Sequence, residues 1–250
     1  MKFSAILFAT VWVGLLFGCR DRVVSDKPTF LTKIRITCDD GRVLEKEIPT
    51  DTREDWGLLE KAVGNVSGRF ETTIRVTHSE GEFAIRQEGR LRNGLLDGNV
   101  RSFALVDGKK FVASEVDYAA GVKHGSYKAF YPDTGRTQID CTFESGERHG
   151  AFQTFYRNGM PSLRMQYDHG QPDRLCEVFE NSGSLVVAGT YERGRMKSGQ
   201  FLENLDSFIL ESFDGLPAVV RIVSLDENGR LSAPVEKTVN GTRNHSGGTQ

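Results

Sequence analysis

The sequence predicts a mainly β protein in which stacked antiparallel β-hairpin repeats form an elongated single sheet, with a small α+β cap at the N-terminal end. Three observations carry this. A glycine-punctuated motif recurs with its first glycines at 94, 121, 146, 170 and 194, so the steps are 27, 25, 24 and 24 residues. The segments between these glycines alternate aromatic or β-branched residues with polar ones, the period of a pleated strand. Asn-Gly and similar turn residues, which supply the positive φ of tight hairpins, separate the segments. A fixed period of this length marks an array whose units stack on one another, because a lone hairpin is marginal in water.

The elements follow in chain order. Met1-Lys2 opens a basic start, and Phe3 to Phe17 is apolar and uncharged. This run is shorter than the roughly 20 residues of a membrane span and fits a secretory signal over 1–18. Leu16-Phe-Gly-Cys19 resembles a bacterial lipobox, which implies lipidation of Cys19 and anchoring of the chain in the bacterial cell envelope. The acyl chains of such an anchor suffice for stable attachment. Arg20 after the cysteine, by resemblance to bacterial sorting signals, favours the outer membrane, facing the periplasm. Residues 19–32 read as a tether.

A cap is expected over 33–82. Its hairpin sets Ile34, Ile36 and Cys38 before Asp39-Asp-Gly-Arg42, with Val43, Leu44 and Ile48 after it. Thr52-Arg-Glu-Asp55 reads as a capping box opening a short helix, with Trp56, Leu59 and Val63 on its buried stripe. Strand alternation returns from Thr73 to Arg90. The repeat array spans 83–200. Closing strands are expected over 201–235, at Phe208-Ile-Leu210 and from Ala218 to Leu225. The polar tail 236–250 lacks large apolar groups and is expected to be disordered.

Within the array, Gly125-Ser-Tyr-Lys-Ala-Phe-Tyr131 aligns with Gly150-Ala-Phe-Gln-Thr-Phe-Tyr156 and with Arg174-Leu-Cys-Glu-Val-Phe-Glu180. Period two puts Tyr127, Ala129 and Tyr131 on one face, and Phe152, Thr154 and Tyr156 on the same face one repeat later. Phe130, Phe155 and Phe179 have the opposite parity, so either the second face is partly covered or a bulge shifts the register. The structural turns are assigned to Gly121, Gly125, Gly146, Gly150, Gly159 and Gly170.

These copies resemble the MORN-repeat family, and more closely its bacterial variant. The match covers roughly residues 83 to 200. Gly121, Lys123, His124, Gly125, Phe130, Tyr131 and Gly135 fit one copy, and Gly146, Arg148, His149, Gly150, Phe155, Tyr156, Asn158 and Gly159 fit the next. Pro172-Asp-Arg174 departs from the pattern, and the fifth copy has Gly199 where 198 is expected. The resemblance implies an interaction surface without shared catalytic residues. Tyr127, Tyr131, Phe152 and Tyr156 are the candidate partner contacts, since binding energy concentrates in aromatic side chains.

Net charge is −2 and the pI is about 6.2. Arg69, Arg75, Arg86, Arg90, Arg92 and Arg101 alternate with Glu71, Glu80, Glu82, Glu88 and Asp97, which describes a solvated sheet face rather than a nucleic-acid surface. Cys38, Cys141 and Cys176 stand where small apolar residues are expected and read as buried thiols, with one disulfide plus an odd thiol as the alternative in an oxidising compartment. His124 and His149 occupy equivalent slots 25 residues apart, whereas His169 is a turn residue shifted from that slot. The resemblance makes these histidines turn-packing residues, and no metal or cofactor is expected. Hydrolase elbows, zinc-protease helices and phosphate loops are missing from the sequence. Two functions remain. One is a non-catalytic scaffold binding a protein, peptide or glycan of the envelope. The alternative is an envelope hydrolase or glycan-processing enzyme with a site between cap and repeats.

Overall fold

The structure, a computed structural model, describes residues 29–50, 63–78, 81–106, 109–214, 218–226 and 228–239. Sixteen strands form one open antiparallel sheet, built from hairpins whose strands are neighbours in sequence. Contacts divide the chain into two units, the first ending at Val122 and the second beginning at Lys123. Cys19, the capping box at Thr52 and the tail beyond 239 lie outside the described residues, as do Trp56 and Leu59 of the expected cap helix.

The first unit contains β1 (Thr29–Cys38), β2 (Val43–Thr50), β3 (Gly68–His78), β4 (Gly81–Arg92), β5 (Leu95–Leu96), β6 (Gly98–Val106) and β7 (Lys109–Ala119). β1 starts inside the segment read as a tether. It lies between β2 and β3, pairing Ile36 with Leu44 on one side and with Phe70 on the other. Alternation buries Ile34, Ile36, Cys38 and Phe70 on one face, where Leu91, Leu96 and Val100 join them and Val63 packs alongside. The other face carries the arginines in ion pairs: Arg86 with Glu71 at 2.7 Å and Arg101 with Glu115 at 3.0 Å. Exposed pairs of this kind add little stability. Gly89 lies within β4 opposite Phe70, whose ring would meet an added Cβ at 2.9 Å.

The second unit contains β8 (Val122–Phe130), β9 (Thr137–Glu144), β10 (Glu147–Phe155), β11 (Pro161–Asp168), β12 (Gln171–Phe179), β13 (Leu185–Glu192), β14 (Arg195–Leu202), α1 (Leu205–Asp214), β15 (Ala218–Ser224) and β16 (Val235–Val239). Its strands pair in chain order. One row across the sheet reads Tyr127, Cys141, Phe152, Met165, Cys176 and Gly189, and the next reads Ala129, Ile139, Thr154, Leu163, Val178 and Val187. A bulge follows each second row: the ladder shifts between Ala129 and Phe130, between Thr154 and Phe155, and between Val178 and Phe179. The inserted residues Gln138, Ser162 and Val186 are all buried. The opposite parity of the phenylalanines therefore coincides with a repeated bulge.

Two expectations at the C-terminal end are corrected. Phe208-Ile-Leu210 lies in α1 rather than in a strand. Leu205, Phe208, Ile209, Ser212 and Phe213 recur at i, i+3, i+4, i+7 and i+8, a helical stripe that a short apolar triplet disguises. α1 packs against β10, β11 and β15, and its Phe213 ring meets Tyr131 edge-on at 6.4 Å. Residues 236–239, assigned to the tail, belong to β16, where Glu236 pairs Arg221 and Val239 pairs Ala218. An edge strand can form from backbone pairing without large apolar side chains.

The opening turns have the same backbone throughout. Asn93, Ala120, Ser145, His169 and Arg193 have φ of 45–52°, and each precedes a positive-φ glycine, so both central residues are left-handed as a type I′ hairpin requires. The N–H of that glycine reaches back to the preceding hairpin: Gly146 donates to the Lys123 carbonyl at 2.9 Å, Gly170 to Arg148 at 2.8 Å and Gly194 to Pro172 at 2.8 Å. These bonds stack one repeat on the next. Four residues after each first glycine, and five in the last copy, a second left-handed position recurs, at Gly98, Gly125, Gly150, Arg174 and Gly199. Arg174 holds it with φ 61° and a largely exposed side chain. Arg174→Gly is expected to raise stability by about 1 kcal/mol, the relief of roughly 1–2 kcal/mol of left-handed strain less the added chain entropy of glycine. Denaturant midpoints check this, and an unchanged or lower midpoint would show that the strain is absorbed elsewhere.

Candidate functional site

Of the four aromatic residues expected to meet a partner, three are buried. Tyr131 and Phe152 are 1% exposed and Tyr156 is 2% exposed. Their hydroxyls and rings face inward: Tyr131 Oη donates to the Phe155 carbonyl at 2.6 Å, and Tyr156 Oη donates to the Phe179 carbonyl at 2.7 Å. Each bond ties one repeat to the next, and it stops where Glu180 replaces tyrosine in the aligned copy. Burial pushes the Tyr156 hydroxyl far above its usual pKa, so it remains a donor. Tyr131, Phe152 and Tyr156 are thus stacking residues and offer no surface to a partner. The parity is readable from period two; which parity points inward depends on α1, a helix where the apolar triplet predicts a strand. Tyr127 is half-buried, with Phe143 edge-on at 5.9 Å and the Lys123 ammonium 6.0 Å above its ring.

The opposite face of this unit is polar and regular. Lys128 pairs with Asp140 at 3.5 Å, and Arg164 pairs with Glu177 at 3.9 Å while its guanidinium lies 5.0 Å over the Phe179 ring. Leu175 and Leu185 stand exposed at 43% and 53%. Leu175 precedes inward Cys176 on β12 and so points to the outer face, and Leu185 is paired with Phe179, which lies on that face buried beneath the Arg164 guanidinium. Burial raises the thiols of Cys141 and Cys176 to about 12, so both are protonated and unreactive at neutral pH. They share a row but stand three strands apart, roughly 14 Å at ordinary strand spacing, too far for a disulfide.

A cluster of titratable groups forms along the opening turns. His149 Nε2 is 3.5 Å from Glu144 Oε2, and its Nδ1 is 3.4 Å from Asp168 Oδ1. Asp168 Oδ1 also holds His169 Nδ1 at 2.7 Å, and the two imidazole centroids are 4.8 Å apart. That carboxylate raises the His169 pKa above the usual histidine value. His149 Nδ1 is shielded from solvent yet lacks an aligned hydrogen bond, the Asp168 separation being ion-pair range without hydrogen-bond geometry. Glu147 lies against Gly170 beside this group. Arg148, the nearest cation in sequence, is drawn away over the Phe152 and Tyr167 rings at 4.8 and 5.4 Å.

His124 is not part of this cluster. Its Nδ1 accepts the Ser145 N–H at 3.4 Å, which is turn packing. The partner of His149 is instead His169, the turn histidine shifted from the slot that His124 and His149 share. The stacking bond from Gly170 to Arg148 supplies the reason: it lays each turn residue beside the second strand of the preceding repeat. By the same geometry Ser145 meets His124 and Arg193 meets Asp173, whose Oδ1 accepts the Arg193 N–H at 3.2 Å. Only the middle one of these three junctions sets imidazole against imidazole. The signal existed in the sequence as the spacing from a second-strand residue to the next turn. No protein-family model matches the chain, and no curated protein matches it.

Proposed function

We propose that this chain is a lipid-anchored, MORN-like repeat protein of the bacterial cell envelope. On this reading it is a non-catalytic scaffold whose outer sheet face binds an envelope protein, peptide or glycan. The observation that carries the reading is the asymmetry of the second unit. α1 and the tyrosine hydrogen bonds occupy one face, while the other presents Leu175 and Leu185 between charged and polar side chains at regular strand spacing. Apolar anchors ringed by polar groups are the usual anatomy of a non-obligate interface. Anchoring through Cys19 and an outer-membrane location facing the periplasm rest on the lipobox-like boundary and on Arg20.

The test combines anchoring with contact. Cys19→Ser is expected to abolish labelling by a fatty-acid analogue and to release the protein from membranes or leave it uncleaved. Leu175→Asp with Leu185→Asp is expected to weaken cross-linked capture of envelope material tenfold or more, with circular dichroism unchanged. Equal labelling of Cys19→Ser and wild type would remove the anchor, and undiminished capture by the folded leucine variant would remove the outer face as the binding surface.

A further inference from the structure

We propose that Glu144, His149 and His169 form a binding site for a divalent metal of the Zn2+ class, with Asp168 orienting the imidazoles from behind. The three side chains each bring a donor atom within 4.8 Å of the other two. Zn2+ takes imidazole nitrogen and carboxylate oxygen at roughly 2.0–2.2 Å, which sets donor atoms on a tetrahedral centre about 3.3–3.5 Å apart. The Glu144–His149 pair is already at 3.5 Å. The remaining separations, at most 4.8 Å, need to close by up to about 1.5 Å to reach that spacing, within the reach of side-chain rotation at three partly exposed residues.

The surroundings favour a cation. Glu144, Glu147 and Asp168 converge on the group, while the Arg148 guanidinium is committed to two aromatic rings. Asp168 engages Nδ1 of His169 and so leaves Nε2 of that ring for the metal, the carboxylate–histidine–metal relay that fixes tautomer and orientation. For His149 it is Nε2 that faces Glu144 and would take the metal, while its shielded Nδ1 faces Asp168 at 3.4 Å, the orienting side of the same relay. Imidazole with carboxylate selects borderline ions over Mg2+, which prefers oxygen ligands and retains its waters. Three protein ligands leave a fourth position for water. The site arises at one junction because a turn histidine stacks there on a strand histidine; Ser145 with His124 and Arg193 with Asp173 fill the equivalent junctions.

The experiment is calorimetric titration of the full chain, purified without a histidine tag, with ZnCl2 in a non-coordinating buffer. The expected result is one saturable site per chain that equimolar Mg2+ does not compete for. His149→Gln and His169→Gln should each weaken binding tenfold or more, and Asp168→Asn about 10–100-fold as an orienting group. His124→Gln should leave it unchanged. Co2+ should give visible absorption bands in wild type and none in His169→Gln, whose exposed side chain makes misfolding no explanation for the loss. Absence of saturable binding, binding that survives both His149→Gln and His169→Gln, or an equal loss in His124→Gln would each overturn the proposal.

Discussion

Phe152→Ala is expected to lower stability by about 3–5 kcal/mol, the range for removing a fully buried aromatic ring and leaving its cavity. Phe152 is 1% exposed and sits in the first row of the second unit, between Cys141 and Met165 on the flanking strands. The Tyr167 ring meets it edge-on at 5.6 Å, and the Arg148 guanidinium covers it at 4.8 Å. The central strands hold this row in hydrogen-bonded register, so backbone collapse around the hole is restricted and most of the cavity persists. Phe155, on the same strand with opposite parity, is half-buried. Phe155→Ala should cost only about 1–2 kcal/mol, in proportion to the apolar area it removes from water. Denaturant unfolding followed by circular dichroism compares the two. Equal losses would mean that the faces do not differ in packing, and the inward assignment of the Tyr127, Phe152 and Cys176 slot would fail with them.

Gly94→Ala should destabilise the first unit by about 2–5 kcal/mol, while Gly98→Ala costs about 1–2 kcal/mol. Both glycines have φ of 80°, so both substitutions meet the same left-handed penalty. The difference is space. A Cβ on Gly94 would lie 2.3 Å from the Gly64 carbonyl oxygen, a backbone atom that cannot swing aside, whereas a Cβ on Gly98 has nothing within 4 Å. Gly94 also donates its N–H to the Val66 carbonyl at 2.7 Å, so relief by moving the turn would lengthen that bond. Thermal or denaturant midpoints of the two variants separate conformational strain from steric strain. Identical midpoints would show that the Gly64–Gly94 approach does not constrain the turn.

The histidine cluster marks the limit of what slot alignment can reveal. Aligning repeats residue by residue pairs His124 with His149, because both follow the same turn. Contact between stacked repeats runs instead from a strand residue to the next turn, a spacing of about 20 residues that joins His149 to His169. The aromatic residues fail in a related way. Period two correctly grouped Tyr127, Ala129 and Tyr131 with Phe152, Thr154 and Tyr156. Preference for aromatic hot spots then assigned the wrong side to solvent, because the element that covers that side was read as a strand.

What the sequence determined by itself is local: hairpins at a repeating interval, left-handed turn positions, and the two-residue alternation that defines a row. Turn chemistry and pleat act over a few bonds, so a handful of neighbouring residues contains the whole cause. Tertiary structure alone decided which row is inside, where the bulges at Gln138, Ser162 and Val186 fall, and which histidines meet. Burial and stacking are settled by chain segments dozens of residues away, such as α1 against β10 and β11. A face with aromatic residues on both parities stays ambiguous until its cover is in place.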